Sequence, residues 1–497
     1  MNDLKIPPHG VDIRAGSGLI SSLSGTASRL CRVSAIGRRS LLVTLGLTLL
    51  LLYCANSPPI PRQKGWPERR PTEVVLVTGH GFGGEPTFCV RRLSAAVSFQ
   101  SDPADPQIGF LPGVQNHCWL QELRPEDFDY LRNNDVQRKD KNVFIKLHKR
   151  AELYASYARR PPGGVTAVRV RCLPFVYVIG QPKCGTTDLR HRLSLHPRVA
   201  SGTVWSDAHW WSRQRFPAPS GDVSDRPSGP VSFREYLDSF ELVSHRLVGA
   251  DCGRTGDGRH RPWTPDSRII TVDGSTSTMW DERSLREARR RPALAAEQYP
   301  PLAETTAAGL AALQPTARIV AILREPTDRL FSDYLYFNSQ RDSEKSADEF
   351  HQMAQRAVGM WTNCTRSRTE NDCATDRRVI DRLGVRLHVG LYAVYLRPWL
   401  QEFGRDQVLV LRTEDHRRNI TQSLHALFNH LDIGVPADTV WEEIRTASPK
   451  NVRRKSLKHQ TMLPETRGLL RDFYRPFNRR LARLLRSERF LWEDSEP

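Results

Sequence analysis

Short, almost wholly apolar runs alternate with stretches of helical spacing throughout residues 166–497. The clearest runs are 175–179, 269–272, 318–323 and 408–411. Strands buried on one face alternate apolar and polar positions, whereas strands buried on both faces are apolar at successive positions. The runs therefore predict an α/β fold, in which helices flank a parallel sheet.

The N-terminal part of the chain has a different pattern. One longer apolar run, residues 41–55, follows Arg38 and Arg39 and precedes a proline-rich stretch. It is shorter than the ~20 residues of a full membrane span, and the polar segment 1–40 before it is long for a cleaved signal peptide. We predict a cytoplasmic tail over 1–40, an uncleaved transmembrane signal anchor over 41–55, and a stem with an N-terminal lobe over 56–165. A cleaved signal peptide is the alternative.

Cysteines and glycosylation acceptors bear on the compartment. Of nine cysteines, seven follow the apolar run, and apart from Cys184 they suffice for three disulfides in an oxidising lumen. Cys364 and Cys373 bracket a short polar segment and form the best pair; buried free thiols are the alternative. Asn363 and Asn419 begin two glycosylation acceptor sequences. No cysteine or histidine spacing is typical of zinc ligands, and no metal is expected.

The overall composition fits a folded protein that carries excess positive charge. The 497 residues include 39% hydrophobic residues, which argues against wholesale disorder and against a polytopic membrane protein. Lys and Arg number 73 against 55 Asp and Glu, a formal charge of +18. This excess predicts attraction to polyanions. Charge alone does not separate DNA, RNA, anionic lipid and sulfated or uronic glycans.

The first buried run leads into a glycine-containing loop and then a helical pattern. This loop, residues 180–187 (the anion loop), includes Gly180, Lys183, Gly185, Thr186 and Thr187. A strand, a glycine loop and a helix N-terminus together bind anions, because unpaired N–H groups and the positive end of the helix dipole point into the loop. The spacing fits only the first half of a Walker A motif, since Thr186 stands where that motif needs lysine. A kinase or NTPase is therefore disfavoured, and a simple helix-capping turn is the structural alternative.

A second anion-binding element follows the run 318–323. Arg324 ends this predicted strand, Pro326 suits the first turn of a helix, and Ser332 lies on that helix. Arg324 and Ser332 could meet at one anion. Two such elements at the carboxyl ends of parallel strands predict a ligand with two separated phosphate groups.

The sequence of the two elements resembles that of the Golgi carbohydrate sulfotransferases. The anion loop residues Lys183, Cys184, Gly185, Thr186 and Thr187 resemble the 5′-phosphosulfate loop of that family. The segment from Arg324 to Ser332 is similar to its 3′-phosphate element. Further similar strings occur at 210–211, 273–281, 332–337, 462–466 and 472–474, so the resemblance covers most of residues 170–495. They favour the branch that sulfates the 6-O position of N-acetylgalactosamine 4-sulfate in chondroitin and dermatan sulfate.

The resemblance implies a chemistry and a location. The co-substrate would be 3′-phosphoadenosine 5′-phosphosulfate (PAPS), whose 5′-phosphosulfate would be bound by Lys183 and the rest of the anion loop, Cys184, Gly185, Thr186 and Thr187 included. Arg324 and Ser332 would bind its 3′-phosphate. The protein would be a single-pass type II Golgi membrane enzyme with a lumenal catalytic domain, and its partner would be a sulfated glycosaminoglycan rather than a nucleic acid.

The resemblance also indicates a general base. Asp207 is the first candidate and His209 the second; an exposed loop carboxylate is the alternative for Asp207. The family has Lys-Glu at this place, where this chain has Ser206 and Asp207. The departure keeps open a different acceptor glycan or position, or a catalytically weak polyanion-binding relative. The tryptophans at 205, 210 and 211 could stack on sugars or lie in the core. The basic run 450–455 could close over the nucleotide or be a solvated face.

Overall fold

The fold is described from a computed structural model. Side chains are described for residues 110–124, 166–200, 207–216, 230–240, 268–293, 295–296, 300–337, 346–451 and 460–493, and for a few positions within 152–159 and 244–247; only the backbone is described for 74–80 and 87–93. The predicted tail over 1–40, the predicted anchor over 41–55 and most of the predicted stem lie outside these residues. Within them, no helix combines the length and the apolar character that crossing a membrane requires.

The first sheet is a mixed sheet of four strands. These are β1 (Val74–His80), β2 (Thr87–Leu93), β3 (Cys118–Glu122) and β4 (Thr166–Cys172), in the spatial order β2, β1, β4, β3. Strand β4 is parallel to β1 and antiparallel to β3. Strands from both sides of residue 165 therefore share this sheet.

The second sheet is entirely parallel, as the buried runs predicted. Its strands are β5 (Val176–Gly180), β6 (Val272–Asp273), β7 (Arg318–Leu323) and β8 (Val408–Arg412), in the spatial order β6, β5, β7, β8. Every residue of β5 is buried, and so is every residue of β7 after its first. The predicted strand 269–272 is shorter than expected. Ile270 makes only an isolated bridge to Val199, and the ladder to β5 begins at Val272.

Helices follow and separate the strands of the second sheet, as an α/β fold requires. In chain order they are α1 (Thr186–Ser194), a short π-helix (Trp210–Gln214), α2 (Phe233–Asp238), α3 (Arg283–Arg290), α4 (Pro292–Ala296), α5 (Thr306–Leu313), α6 (Pro326–Phe337), α7 (Ala347–Thr365), α8 (Glu370–Thr375), α9 (Arg377–Ile380), a 3₁₀ turn (Leu387–Gly390), α10 (Tyr392–Gln407), α11 (Thr413–Arg418), α12 (Ile420–Leu431), α13 (Asp438–Thr446), α14 (Pro464–Leu485) and a second 3₁₀ turn (Glu488–Leu491). Pro326 begins α6, as predicted.

Two disulfides join described residues. Cys364 pairs with Cys373, which confirms the predicted pair, and Cys118 pairs with Cys172 across adjacent strands β3 and β4. Cys184 carries a free thiol that is completely buried. Disulfides form and persist in oxidising compartments.

Candidate active site

The anion loop connects β5 to α1 as the sequence predicted. Its Gly185 is the N-cap residue of α1 with a φ of +93°, a conformation that a Cβ atom disfavours. Glycine has no side chain with which to cap the helix. The first N–H groups of α1 and the positive end of its dipole therefore remain available to an anion in the loop.

Neighbouring elements hold the loop in place. The backbone N–H of Gln181 donates to Ile322 on β7 (2.9 Å), and its side-chain Nε2 donates to the Val389 carbonyl (2.8 Å). The Thr413 hydroxyl donates to the carbonyl of Cys184 (2.6 Å). Burial raises the pKa of the Cys184 thiol to about 12. Cys184 therefore contributes backbone to the loop while its side chain packs in the core.

An open cleft with a volume of about 280 Å³ lies beside the loop. Its lining includes five of the residues that the sequence analysis singled out: Lys183, Thr186, Thr187, Asp207 and His209. The anion loop and the two candidate bases thus meet at one cavity, although more than a dozen residues of the chain separate the loop from Asp207.

Lys183 is half-buried in this cleft and lies over an aromatic ring. Its Nζ is 3.6 Å from the centre of the Tyr336 ring, a cation–π contact. Burial lowers the pKa of Lys183 to about 8, against the opposing effect of Asp333, and the charges of Arg386 and Arg324 add to the fall. The group remains largely protonated at neutral pH and favours an anionic partner that would restore its usual pKa.

His209 is held by the loop that follows β6. Its backbone N–H donates to the Ser275 hydroxyl (2.9 Å), and its ring Nδ1 is 2.6 Å from the Ser277 hydroxyl. Ser277 in turn contacts the Ser212 hydroxyl (2.6 Å), which donates to the His209 carbonyl (3.4 Å). Because the Ser212 hydroxyl donates to the His209 carbonyl, the Ser277 hydroxyl donates to Ser212 and can accept from His209 Nδ1. Nδ1 then carries the proton and Nε2 carries the lone pair.

The same loop is anchored through Asp273. This carboxylate is 3% exposed and accepts hydrogen bonds from Ser275 and from the Tyr236 hydroxyl. Burial raises the pKa of Asp273, although those hydrogen bonds oppose the shift. Asp273 therefore supports the residues that hold His209 and is not itself exposed to the acceptor side.

Asp207 is ion-paired. Arg190 on α1 donates from Nη1 to Asp207 Oδ1 (2.8 Å) and to the Gly274 carbonyl (3.1 Å). The Arg190 side chain passes directly over Gly274, since a Cβ at position 274 would lie 2.1 Å from its Cδ. An ion-paired carboxylate accepts a proton less readily than one without a cationic partner.

The second predicted element lies beside the cleft rather than in its lining. Arg324 follows β7, and its Nη2 is 3.7 Å from Asp328 Oδ2. Asp328 also pairs with Arg467 on α14 (3.0 Å). Ser332 is half-buried on α6. Arg324 is close enough to the anion loop to influence the pKa of Lys183. The two elements are neighbours, but Arg324 and Ser332 do not line the cavity that holds His209.

The aromatic residues separate into core and cleft. Trp210 and Trp211 are 1% and 4% exposed, and Trp210 stacks on Tyr236, so these two tryptophans belong to the core. Trp205 lies outside the described residues. Of the basic run 450–455, only Lys450 and Asn451 are described, and Asn451 reaches the cleft lining.

Several cleft residues were not identified from the sequence. Arg190, Arg213, Ser277, Tyr336 and Arg386 each line the cleft or hold a residue that does. Ser277 and Tyr336 fall within the strings 273–281 and 332–337 that resemble the family, which is the signal for them in the sequence. The three arginines gave no signal, since each is one of many arginines in the chain.

The chain is similar to known sulfotransferases. A family model described as a sulfotransferase domain matches residues 174–482. Carbohydrate sulfotransferase 15 of Homo sapiens is 37% identical over 390 residues, which cover 77% of this chain and 66% of that protein. Carbohydrate sulfotransferase 15 of Nototodarus sloanii is 31% identical over 144 residues, which cover 28% of this chain and 89% of that protein. A solved sulfotransferase from Alicyclobacillus acidocaldarius is 20% identical with a TM-score of 0.40, and the match covers 63% of this chain and 96% of that chain.

Proposed function

The chain belongs to the sulfotransferase domain family, and from this premise we propose that it transfers the sulfuryl group of PAPS to a hydroxyl group of a glycosaminoglycan. The observation that carries the proposal is one cleft lined by Lys183, by Thr186 and Thr187 at the N-terminus of α1, and by His209. An anion-binding loop and a candidate base at one cavity are what a transfer from a phosphosulfate to a hydroxyl needs.

The residues fit the donor. The unpaired N–H groups of α1 and the hydroxyls of Thr186 and Thr187 suit the 5′-phosphate, and Arg324 with Ser332 suits the 3′-phosphate at the neighbouring element. PAPS supplies an activated sulfuryl group, whose bond to the phosphate oxygen breaks as a bond to the sugar oxygen forms. Lys183 would stabilise the negative charge left on that phosphate oxygen, which is electrostatic stabilisation of the transition state.

The hydroxyl proton of the acceptor needs a base. We assign this role to His209, because its Nδ1 is fixed by Ser277 and the lone pair is then at Nε2. The ion pair of Asp207 with Arg190 makes Asp207 the weaker candidate. In this assignment Asp207 forms part of the cleft wall, where Arg190 holds it in place.

We propose the 6-O position of N-acetylgalactosamine 4-sulfate in chondroitin or dermatan sulfate as the acceptor. The support is the resemblance of residues 170–495 to that branch, together with similarity to relatives named carbohydrate sulfotransferase 15. The formal charge of +18 suits a polyanionic acceptor.

The compartment follows from the same proposal. We place the enzyme in the Golgi membrane as a single-pass type II protein with its catalytic domain in the lumen. The disulfides Cys118–Cys172 and Cys364–Cys373 support an oxidising lumen. Asn363 and Asn419 are both exposed, as glycosylation acceptors must be.

The test is transfer of labelled sulfate. The purified full-length protein is incubated with ³⁵S-labelled PAPS and with chondroitin 4-sulfate, desulfated chondroitin or heparan sulfate, and the labelled product is analysed as disaccharides. We expect label at the 6-O position of 4-sulfated galactosamine. Label in a different glycan would correct the acceptor, and no label in any glycan would leave a polyanion-binding relative as the better description.

A further inference from the structure

Arg213 lines the cleft four residues after the proposed base, His209. It lies on the π-helix (Trp210–Gln214), whose N-cap residue is His209, and its backbone N–H donates to the His209 carbonyl (2.9 Å). Its side chain is 32% exposed and lines the same cavity as Lys183 and His209. Neither the resemblance nor the chemistry of sulfuryl transfer described above assigns it a role.

The guanidinium of Arg213 is held firmly along one edge. Its Nε donates to Oδ2 of Asp281 (2.7 Å), and Asp281 is 3% exposed. Its two terminal nitrogens make no hydrogen bond to any residue in the described part of the chain. Arg213 is thus oriented by a buried carboxylate while its other donors are available to a ligand.

The carboxylate that orients Arg213 also contacts a second arginine. Asp281 is shared by two guanidinium groups, those of Arg213 (2.7 Å) and Arg283 (3.8 Å). Burial opposes the ionisation of Asp281, but the two arginines outweigh it and lower its pKa. An ionised Asp281 keeps the guanidinium of Arg213 oriented at the wall of the cleft.

Arg386, the other arginine of the cleft lining, is already committed. Its Nε and Nη2 both donate to Asp333, and its guanidinium stacks on the Phe337 ring at 4.0 Å. A guanidinium that already donates from two nitrogens and stacks on a ring with one face has fewer donors left for a new bidentate partner. Among the described arginines of the lining, Arg213 is therefore better placed to bind an anion.

In the proposed acceptor, the existing sulfate and the reacting hydroxyl lie close together on one sugar ring. In a galactosamine 4-sulfate the sulfated oxygen is on C4 and the reacting oxygen is on C6, so that C5 alone separates the two carbons. A residue that binds the sulfate while His209 contacts the 6-hydroxyl must lie close to His209. Arg213 meets this requirement, because its backbone N–H donates to the His209 carbonyl (2.9 Å) and both residues line the same cavity.

We propose that Arg213 binds the sulfate group that the acceptor galactosamine already carries at O4, and so makes the enzyme select acceptors that have been 4-sulfated. The inference rests on the proposed function and adds the residue that determines its specificity. Guanidinium groups suit planar, bidentate recognition of such an oxyanion. The reaction that supplies the substrate is then a prior 4-O-sulfation of the same glycan.

The test compares two acceptors in a variant that removes the charge. The full-length protein and its Arg213→Gln variant are assayed for kcat/KM with chondroitin 4-sulfate and with desulfated chondroitin, at saturating PAPS. We expect the variant to lose about 10- to 100-fold with the 4-sulfated acceptor, the range of a lost charge-assisted hydrogen bond, and to change by less than twofold with the desulfated one. Arg213→Lys should retain part of the selectivity, since it keeps the charge and loses the fork.

Controls separate selectivity from folding. Arg283 is the other cation at Asp281, and it does not line the cleft. The variant Arg283→Gln should therefore keep the wild-type ratio of kcat/KM between the two acceptors. Calorimetry with adenosine 3′,5′-bisphosphate should give the same affinity for the wild type and for Arg213→Gln, which shows that the donor site is folded.

Other outcomes would overturn the proposal. Equal losses with both acceptors would mean that Arg213 binds the uronate carboxylate or only supports the helix. Equal activity of the wild type on both acceptors would show that the enzyme does not select 4-sulfated acceptors. A wild type that labels neither glycan while binding the nucleotide would instead contradict the proposed function, and the role of Arg213 would fall with it.

Discussion

The pKa of Lys183 gives a prediction that can be worked from the structure. Burial lowers it from 10.5 to about 8, so the ammonium charge is lost as the pH rises through about 8. A group with that pKa is about 90% protonated at pH 7 and about 10% protonated at pH 9. If the charged form is the one that stabilises the departing phosphate oxygen, kcat/KM for PAPS should fall about tenfold between these two pH values.

The assay is the pH dependence of kcat/KM, which reports the ionisation of the free enzyme. In Lys183→Arg the guanidinium stays charged at every pH of the assay, so the descending limb near pH 8 should disappear even though the altered geometry lowers the rate overall. Lys183→Ala should lose about 10²-fold or more at pH 7. Lys450→Arg is the matched control, since the Lys450 side chain is exposed, and it should keep the wild-type profile.

Two results would refute this reasoning. A wild-type profile that stays level to pH 10 would show that the loss of the Lys183 charge does not limit the reaction. A descending limb that persists near pH 8 in Lys183→Arg would assign the ionisation to a different group. In either case the electrostatic role of Lys183 would be wrong, although the anion loop could still bind the nucleotide.

Further predictions concern the base, the loop and one disulfide. His209→Gln should lower kcat by about 10²-fold or more, whereas Asp207→Asn should have a smaller effect; the reverse order in steady-state kinetics would return the role of base to Asp207. Gly185→Ala should destabilise the protein by about 1–2 kcal/mol, because the cost is in the backbone conformation and the nearest side-chain atoms to the new Cβ are 3.9 Å away; an unchanged thermal melting curve would contradict this. Replacing Cys364 and Cys373 together by serine should lower the free energy of unfolding by about 2–3 kcal/mol, as measured by urea unfolding. Reduction of the wild type with dithiothreitol should cost at least as much, since it also breaks Cys118–Cys172; an unchanged free energy of unfolding in the serine variant would contradict the prediction.

Much of the fold and the anion loop could be predicted from the sequence because they depend on local rules. A fully apolar run marks a strand buried on both faces, and the runs at 175–179, 318–323 and 408–411 all became parallel strands. A strand followed by a glycine-containing loop and a helix N-terminus predicts an anion-binding turn, and the structure has this local order at residues 176–194. Lys183, Gly185 and Thr186 lie within a few residues of one another, so their proximity needed no tertiary information.

The surroundings of the candidate base could not be predicted in this way. His209 and Ser277 are 68 residues apart, and Arg190 and Gly274 are 84 residues apart. Such contacts arise because β6 lies beside β5 in the sheet, which brings the loop after β6 next to the anion loop. No local pattern encodes that adjacency, so Asp207 and His209 stayed alternatives until their partners were known.

The sequence by itself determined which chemistry the chain can offer, since residue type and local spacing fix the charges, the donors and the helix N-terminus. Only the tertiary structure decided how those groups are used. It placed Cys184 in the core, paired Asp207 with Arg190, and set Arg213 beside the proposed base. The physical reason is that burial and distance determine whether a charge is matched, and both depend on which strands and loops become neighbours when the chain folds.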